Sequence, residues 1–425
     1  MQSILSARRV RRHRIPVVLA VLAMALTGCT TTMSGSAGPG RIDEKLGLPG
    51  NRGIVLRQQL GTGTPHTFGG VPAYDACTVM SLDVVQQSGY EVNSTPSRGP
   101  VLRTTRMTED APDDPNGRGD TAAHGVSECL YPGPNSELLV LTIYQAPFDA
   151  PQQQDSMERS LRRQGGVDGE VAGFRTLTAG PSESSRFTRV TAIFPPGFYV
   201  EVLRLATRAE PTDEAQLAAV VKQVAERLHA PPTGPSTYSY GAQYSHVRPP
   251  CEVFTSADFR AALGFGTDGR VVEEYELAQT RTDPSPDSGN LGHTTSWAVE
   301  TSCKQETQSA ANSGVGTSID QGITLRFTNY LTEAMAVQAN DYDCALGKGF
   351  RRPFGEPKTV PFAVGDGLTC LSNMGKSVQS PLEFKSGRTT VEMSVWSVGN
   401  LGGGDAAVRI YSGVGKAVAA RLTGG

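Results

Sequence analysis

The residues best suited to chemistry in this chain are carboxylates, and they occur in two settings. The stretch EDAPDDPNGRGD, Glu109 to Asp120, places Asp113, Asp114, Asn116 and Asp120 close together, and these are oxygen ligands of the kind calcium takes. An EF-hand register would need an acid at position 112, where Pro112 stands, so a solvated acidic loop is the competing reading. A similar loop, TDPSPDSGNLG around Asp283 and Asp287, follows later. The second setting is VVEEYEL, where Glu273, Glu274 and Glu276 could supply paired carboxylates for proton transfer. Alternation along a strand would instead put Glu274, Glu276 and Val272 on one solvated face, with Tyr275 opposite.

Other chemistries find less support. His66, His124, His229, His246 and His293 are scattered, and neither C-x-x-C nor H-x-x-x-H spacing occurs, so no metal site is expected. Gly61-Thr62-Gly63-Thr64 is glycine-rich, but Pro65 follows it and no strand is expected before it, which is a poor phosphate cradle. Nucleophile-elbow, P-loop, HExxH and dinucleotide motifs are all missing from the sequence. The expectation is therefore no catalytic residue and no cofactor.

The cysteines show what positions these residues. Besides Cys29 there are Cys77, Cys129, Cys251, Cys303, Cys344 and Cys370. The first two lie 52 residues apart, the next two also 52, and each member of the second pair follows its counterpart by 174 positions. In an exported protein an even set reads as disulfides, and the repeated spacing selects Cys77–Cys129, Cys251–Cys303 and, by elimination, Cys344–Cys370. Each of the two longer loops would contribute about 4 kcal/mol in the chain-entropy account.

The repeat extends beyond the cysteines. DACTVMSLDVVQQSG (Asp75 to Gly89) and PPCEVFTSADFRAALG (Pro249 to Gly264) both read as a cysteine followed by a short capped helix. Ser81 and Thr255 are the N-cap candidates, Thr255 with Asp258 as a capping box, and Gly89 and Gly264 close the helices. Both halves end alike, KQVAERL (Lys222 to Leu228) against KAVAARL (Lys416 to Leu422), each on a helical apolar stripe. Between these ends lie strands at Glu137–Tyr144 and Gly322–Tyr330, a helix after each, and hairpins around Pro195-Pro196-Gly197 and Gly387. The expected fold is α+β: two tandem similar domains, each an antiparallel sheet packed with helices and stapled by a disulfide.

The domain boundaries follow. Arg8, Arg9, Arg11, Arg12 and Arg14 precede the apolar run Ile15–Leu26, which is too short to span a bilayer and suits a signal peptide. Leu26-Thr27-Gly28-Cys29 reads as a lipobox with Cys29 the lipidated residue. Residues 1–28 are thus the signal peptide, 29–65 the lipidated cysteine and a flexible tether, 66–229 the first domain, 230–246 a Pro/Ser/Gly/Tyr-rich linker and 247–425 the second domain. Without the leader, Lys+Arg falls from 39 to 34 against 42 Asp+Glu, a formal charge of −8 that argues against a nucleic-acid partner.

With these residues in view, the Pro-Cys, capped helix and Ala-Leu-Gly of PPCEVFTSADFRAALG resemble a large group of actinobacterial cell-envelope lipoproteins that share a domain of unknown function. The first copy lacks the proline and the Ala-Leu-Gly ending, so there the resemblance rests on cysteine spacing and the common tail. The order of elements is also loosely similar to the α/β sandwich of extrinsic photosystem proteins and related mycobacterial lipoproteins. The resemblance implies a lipoprotein held on the extracytoplasmic face of the cell membrane through its N-terminal lipid, and it carries no catalytic residues across. The expected function is a binding module for an envelope protein or small-molecule ligand, without catalysis; the alternative is an envelope hydrolase with an unrecognised site.

Overall fold

The computed structural model describes residues 41–42, 56–68, 70–92, 102–107, 125–133, 137–145, 150–180, 188–205, 213–264, 266–267, 269–281, 295–306, 322–344, 358–371, 381–396 and 404–424. The chain starts with β1 (Arg41–Ile42), β2 (Leu56–Gln59), β3 (Thr67–Phe68) and β4 (Val71–Pro72). The first series follows: α1 (Ala76–Val79), α2 (Leu82–Gln87), β5 (Leu102–Met107), β6 (Gly125–Pro132), β7 (Leu138–Gln145) and α3 (Ala150–Arg163). It closes with β8 (Val167–Val171), β9 (Phe174–Ala179), β10 (Thr188–Phe194), β11 (Phe198–Leu205) and α4 (Asp213–Arg227). After β12 (Thr237–Ser239) the same order recurs as α5 (Pro250–Val253), α6 (Ser256–Leu263), β13 (Arg270–Arg281), β14 (Thr295–Glu306), β15 (Gly322–Asn329) and α7 (Glu333–Cys344). The second series ends with β16 (Lys358–Thr359), β17 (Cys370–Leu371), β18 (Leu382–Ser386), β19 (Thr389–Trp396) and α8 (Gly404–Thr423).

The fold is α+β with antiparallel pairing throughout the main sheet and three disulfides: Cys77–Cys129, Cys251–Cys303 and Cys344–Cys370. That sheet has 14 strands in the order β16-β17-β18-β19-β15-β14-β13-β5-β6-β7-β11-β10-β9-β8. Read from either end, the order visits equivalent strands in the same sequence, so β5 and β13 meet at the centre. Their register marks a local two-fold. Thr104 on β5 pairs with Cys129 on one side and Glu273 on the other, and Glu273 pairs with Cys303. Residues Pro39–Gly425 accordingly hold together as one compact unit.

Helices cover both faces. The cysteine-bearing face lies under α1, α2 and α4 in the first half and under α5, α6 and α8 in the second, where the two disulfides join cassette to sheet. The opposite face carries α3 over Leu177, Ala179 and Ala192, and α7 over Ala298 and Tyr330. The repeated tails explain themselves here. Arg227 donates to Asp83 (3.1 Å) and to the Thr78 carbonyl (3.0 Å), and Arg421 donates to Asp258 (2.6 and 2.9 Å) and to the Val253 carbonyl (2.9 Å). Each closing helix thereby grips its own cassette.

The connection between the halves is packed. β12 pairs with β2, and Tyr238, Tyr240 and Tyr244 are buried in the first core, since aromatic rings of this size gain more from burial than a free linker would leave them. Residues 56–60, expected within the tether, likewise belong to the fold. Leu56 and Gln58 are buried, and the Gln58 amide binds the Cys77 carbonyl and Ser236 while its oxygen accepts from the Leu82 backbone N–H. Gln58 thus caps α2, a task expected of Ser81, whose hydroxyl instead bonds Asp83 and accepts from Arg227.

Candidate functional site

The carboxylates of VVEEYEL separate across the sheet. Glu274 and Glu276 lie on the open face, as alternation requires, and Glu274 reaches Arg103 at 3.6 Å. Glu273 points inward and is wholly buried. Arg106 from the first half holds it with two bonds (2.8 and 3.1 Å), and the Cys251 backbone N–H and the Tyr275 hydroxyl donate to it as well (3.1 and 3.0 Å). Burial opposes the Arg106 charge, but Glu273, with Tyr275 and Asp75, more than offsets it and holds the guanidinium protonated. This pair is a structural clasp across the central strands, with every carboxylate oxygen already engaged.

On the open face, Glu276 stands directly opposite Glu300, and Arg326 bonds Glu300 at 2.6 Å. Burial pushes the Glu300 carboxyl up to about 7; Arg326 opposes this, while Glu276, Glu392 and Glu274 add to it. Beside it is a recess of about 280 Å³, lined among others by Arg326, Asn340, Asp343, Glu383 and Glu392.

A larger opening is on the other face, in the first half. A groove of about 700 Å³ runs between α4 and the strands β8, β9 and β10. Its walls are Val171, Ala172, Leu217, Ala218 and Val221, and its floor is Thr176, Thr178 and Thr191, the last two joined by a hydroxyl hydrogen bond of 3.0 Å. Arg189 and Glu214 close one end with an ion pair of 2.5 Å, and Lys222 and Glu170 stand at the rim. Ala172 turns the β8–β9 hairpin at φ 49°, a left-handed conformation that side chains other than glycine rarely adopt. His229 fixes that turn, bonding the Ala172 carbonyl at 2.8 Å and stacking on Phe174.

The second half shows why the groove exists. Counting along the sheet from the disulfide cysteine, Cys129–Leu141–Val202–Thr191–Thr178 corresponds to Cys303–Leu325–Met393–Leu382–Leu371. The matched tails place Gly415 where the first half has Val221. Residues 360–369, which connect β16 to β17, fold back under α8, and Val364 is buried over Gly415 and Leu382. A β-carbon at Gly415 would lie 3.1 and 3.2 Å from the Val364 methyls. In the first half the corresponding β8–β9 connection is the tight Ala172-Gly173 turn, and the space stays open.

No family model, curated protein or solved structure matches this chain.

Several residues singled out in the sequence have other roles. The Gly61–Thr64 loop does follow a strand, β2, but it is closed against Gly234, whose N–H bonds the Gly63 carbonyl at 2.8 Å, and β3 rather than a helix comes next. His66, His229 and His246 do not converge. Among the described residues the one group of potential metal-ligand atoms that does is Cys344, Cys370 and Glu383, and its cysteines are joined in a disulfide. Cys29, the 109–120 loop, Asp283, Asp287, His124 and His293 lie outside the described residues. Among the described residues no helix is long and apolar enough to cross a membrane.

Proposed function

We propose that this chain is a lipid-anchored lipoprotein of the cell envelope, attached through Cys29, in which two copies of one α+β unit are joined and the first copy binds a ligand. The observation that carries the binding reading is the groove under α4, open in one half and filled by the chain's own residues 360–369 in the other. A groove of this size, apolar on its walls and polar at a few points on its floor, has the make-up of a ligand site. The leader and lipobox sequence support the anchor, and the resemblance to actinobacterial envelope lipoproteins supports the compartment. The recurring element order and the two-fold register of β5 and β13 support duplication. The experiment for the anchor is fractionation: Cys29→Ser should move the protein out of the membrane fraction, and a variant that stays in membranes with its mature mass unchanged would refute it.

An envelope hydrolase is the second reading, and the Glu276–Glu300 pair favours it, because a carboxyl raised to about 7 and facing a second carboxyl could act as a general acid. Equal turnover of any envelope substrate by wild type and Glu300→Gln would remove that reading.

A further inference from the structure

We propose that the first-half groove takes a peptide segment of a partner protein, one that presents a branched aliphatic side chain beside Ala218 between uncharged neighbours. This rests on the binding-module reading and names the class of ligand. The second half supplies the template: there the same space, bounded by the closing helix and the cysteine-bearing face of the sheet, holds the segment Val360–Val364, with Val364 set between helix and strand.

The differences between the halves specify the occupant further. Where the built-in segment lies over Leu382 and Leu371, the open groove offers Thr191 and Thr178. Thr178 and Thr191 bond each other, but each hydroxyl keeps further hydrogen-bonding capacity that suits peptide N–H and carbonyl groups and that an acyl chain would leave unused once water was displaced. The rim is balanced in charge. Glu170 and Glu214 face Arg189 and Lys222, with Arg189 and Glu214 already paired, which complements a neutral backbone better than an anionic or cationic ligand. On the helix wall Val221 takes up room that Gly415 leaves to Val364 in the second half, while Ala218, one turn earlier, is exposed, so the side chain of the occupant seats beside Ala218.

The test uses the purified full chain and two labelled probes: the peptide KTVPFAVGDGLT, which copies residues 358–369, and hexadecanoic acid. The peptide should bind saturably in fluorescence anisotropy. Binding should weaken at least about tenfold with Ala218→Phe, which fills the groove from an exposed position, and equally when the peptide carries Val364→Asp. The combined change Thr178→Val with Thr191→Val removes the hydroxyls without adding bulk and should also weaken the peptide, so the test stands if Ala218→Phe fails to fold. Peptide binding unaffected by any of these changes overturns the proposal. If hexadecanoic acid alone binds and is displaced by Ala218→Phe, the peptide class falls and the binding module stands. If neither probe binds in a groove-dependent way, both fall.

Discussion

Replacing Arg106 with methionine should loosen the second half of the molecule although the substitution lies in the first. Glu273 is wholly buried, and Arg106 supplies its only opposite charge among the groups that bond it, the others being the Cys251 N–H and the Tyr275 hydroxyl. Removing one partner of a buried pair costs about 3–5 kcal/mol, because the remaining charge has neither water nor a counter-ion. The Arg106 side chain keeps 15% exposure, so some water reaches the vacated site and the lower end applies, about 3 kcal/mol. The double variant Arg106→Met with Glu273→Met removes both charges and leaves only two neutral donors without acceptors. It should recover about half of that loss or more. Both tryptophans, Trp297 and Trp396, belong to the second half, so tryptophan fluorescence during urea unfolding reports that half alone. The expected result is a lower urea midpoint for Arg106→Met at unchanged slope. A fluorescence midpoint identical to wild type would refute the clasp.

Three further outcomes follow from local geometry. Gly415→Val should cost about 1–3 kcal/mol through contact with Val364, and Val364→Ala in the same chain should relieve part of it; additive losses in denaturant unfolding would refute the contact. Ala172→Gly should stabilise by about 0.5–1 kcal/mol, the relief at φ 49° exceeding the added freedom of the unfolded chain, and a lower denaturation midpoint would contradict it. Glu300, raised from 4.5 to about 7, binds its proton more tightly folded than unfolded, so its contribution is complete below pH 4.5 and is lost as pH rises through 7. Glu300→Gln should therefore be about 2–3 kcal/mol more stable than wild type at pH 8 and equal to it at pH 4; a gain independent of pH would exclude the titration of Glu300 as its source.

Local features of this fold were legible because each is written in adjacent residues or in a repeated spacing. The cysteine spacing led to the three observed disulfides. Thr255 and Asp258 form the expected capping box, and Gly264 closes α6 at φ 81°. The stripes Leu217, Val220, Val221, Val224, Leu228 and Ile410, Val414, Val418 are buried as their period requires, and Leu422, the last member of the second, is partly buried against the same core. What could not be read depends on pairing between distant strands. Nothing around Leu102 states that β5 will meet β13, so Glu273 looked like one more acid in a run rather than the inward half of a clasp. The tyrosines of 238–244 sit in a composition typical of linkers, and only their packing against the first core distinguishes them. The groove had a faint signal. In the aligned tails valine faces glycine at 221 and 415, and the connection after residue 171 is far shorter than the one after 359, but both differences gain meaning only once the sheet sets the halves side by side.

The meeting of β5 with β13 bears on how such a chain could have arisen. On the duplication reading, a single unit would leave the β5 edge bare, an unpaired strand that invites association, and antiparallel self-pairing about a two-fold is how a symmetric dimer would cover it. Fusing the two genes replaces a concentration-dependent encounter with a tethered one, equivalent to about millimolar partner or more. It also removes a constraint. In a dimer of identical chains, lengthening the connection after the edge strand would plug both grooves or neither. Once the copies are joined in one gene, one can keep its opening while the other closes it and gives up recognition for rigidity.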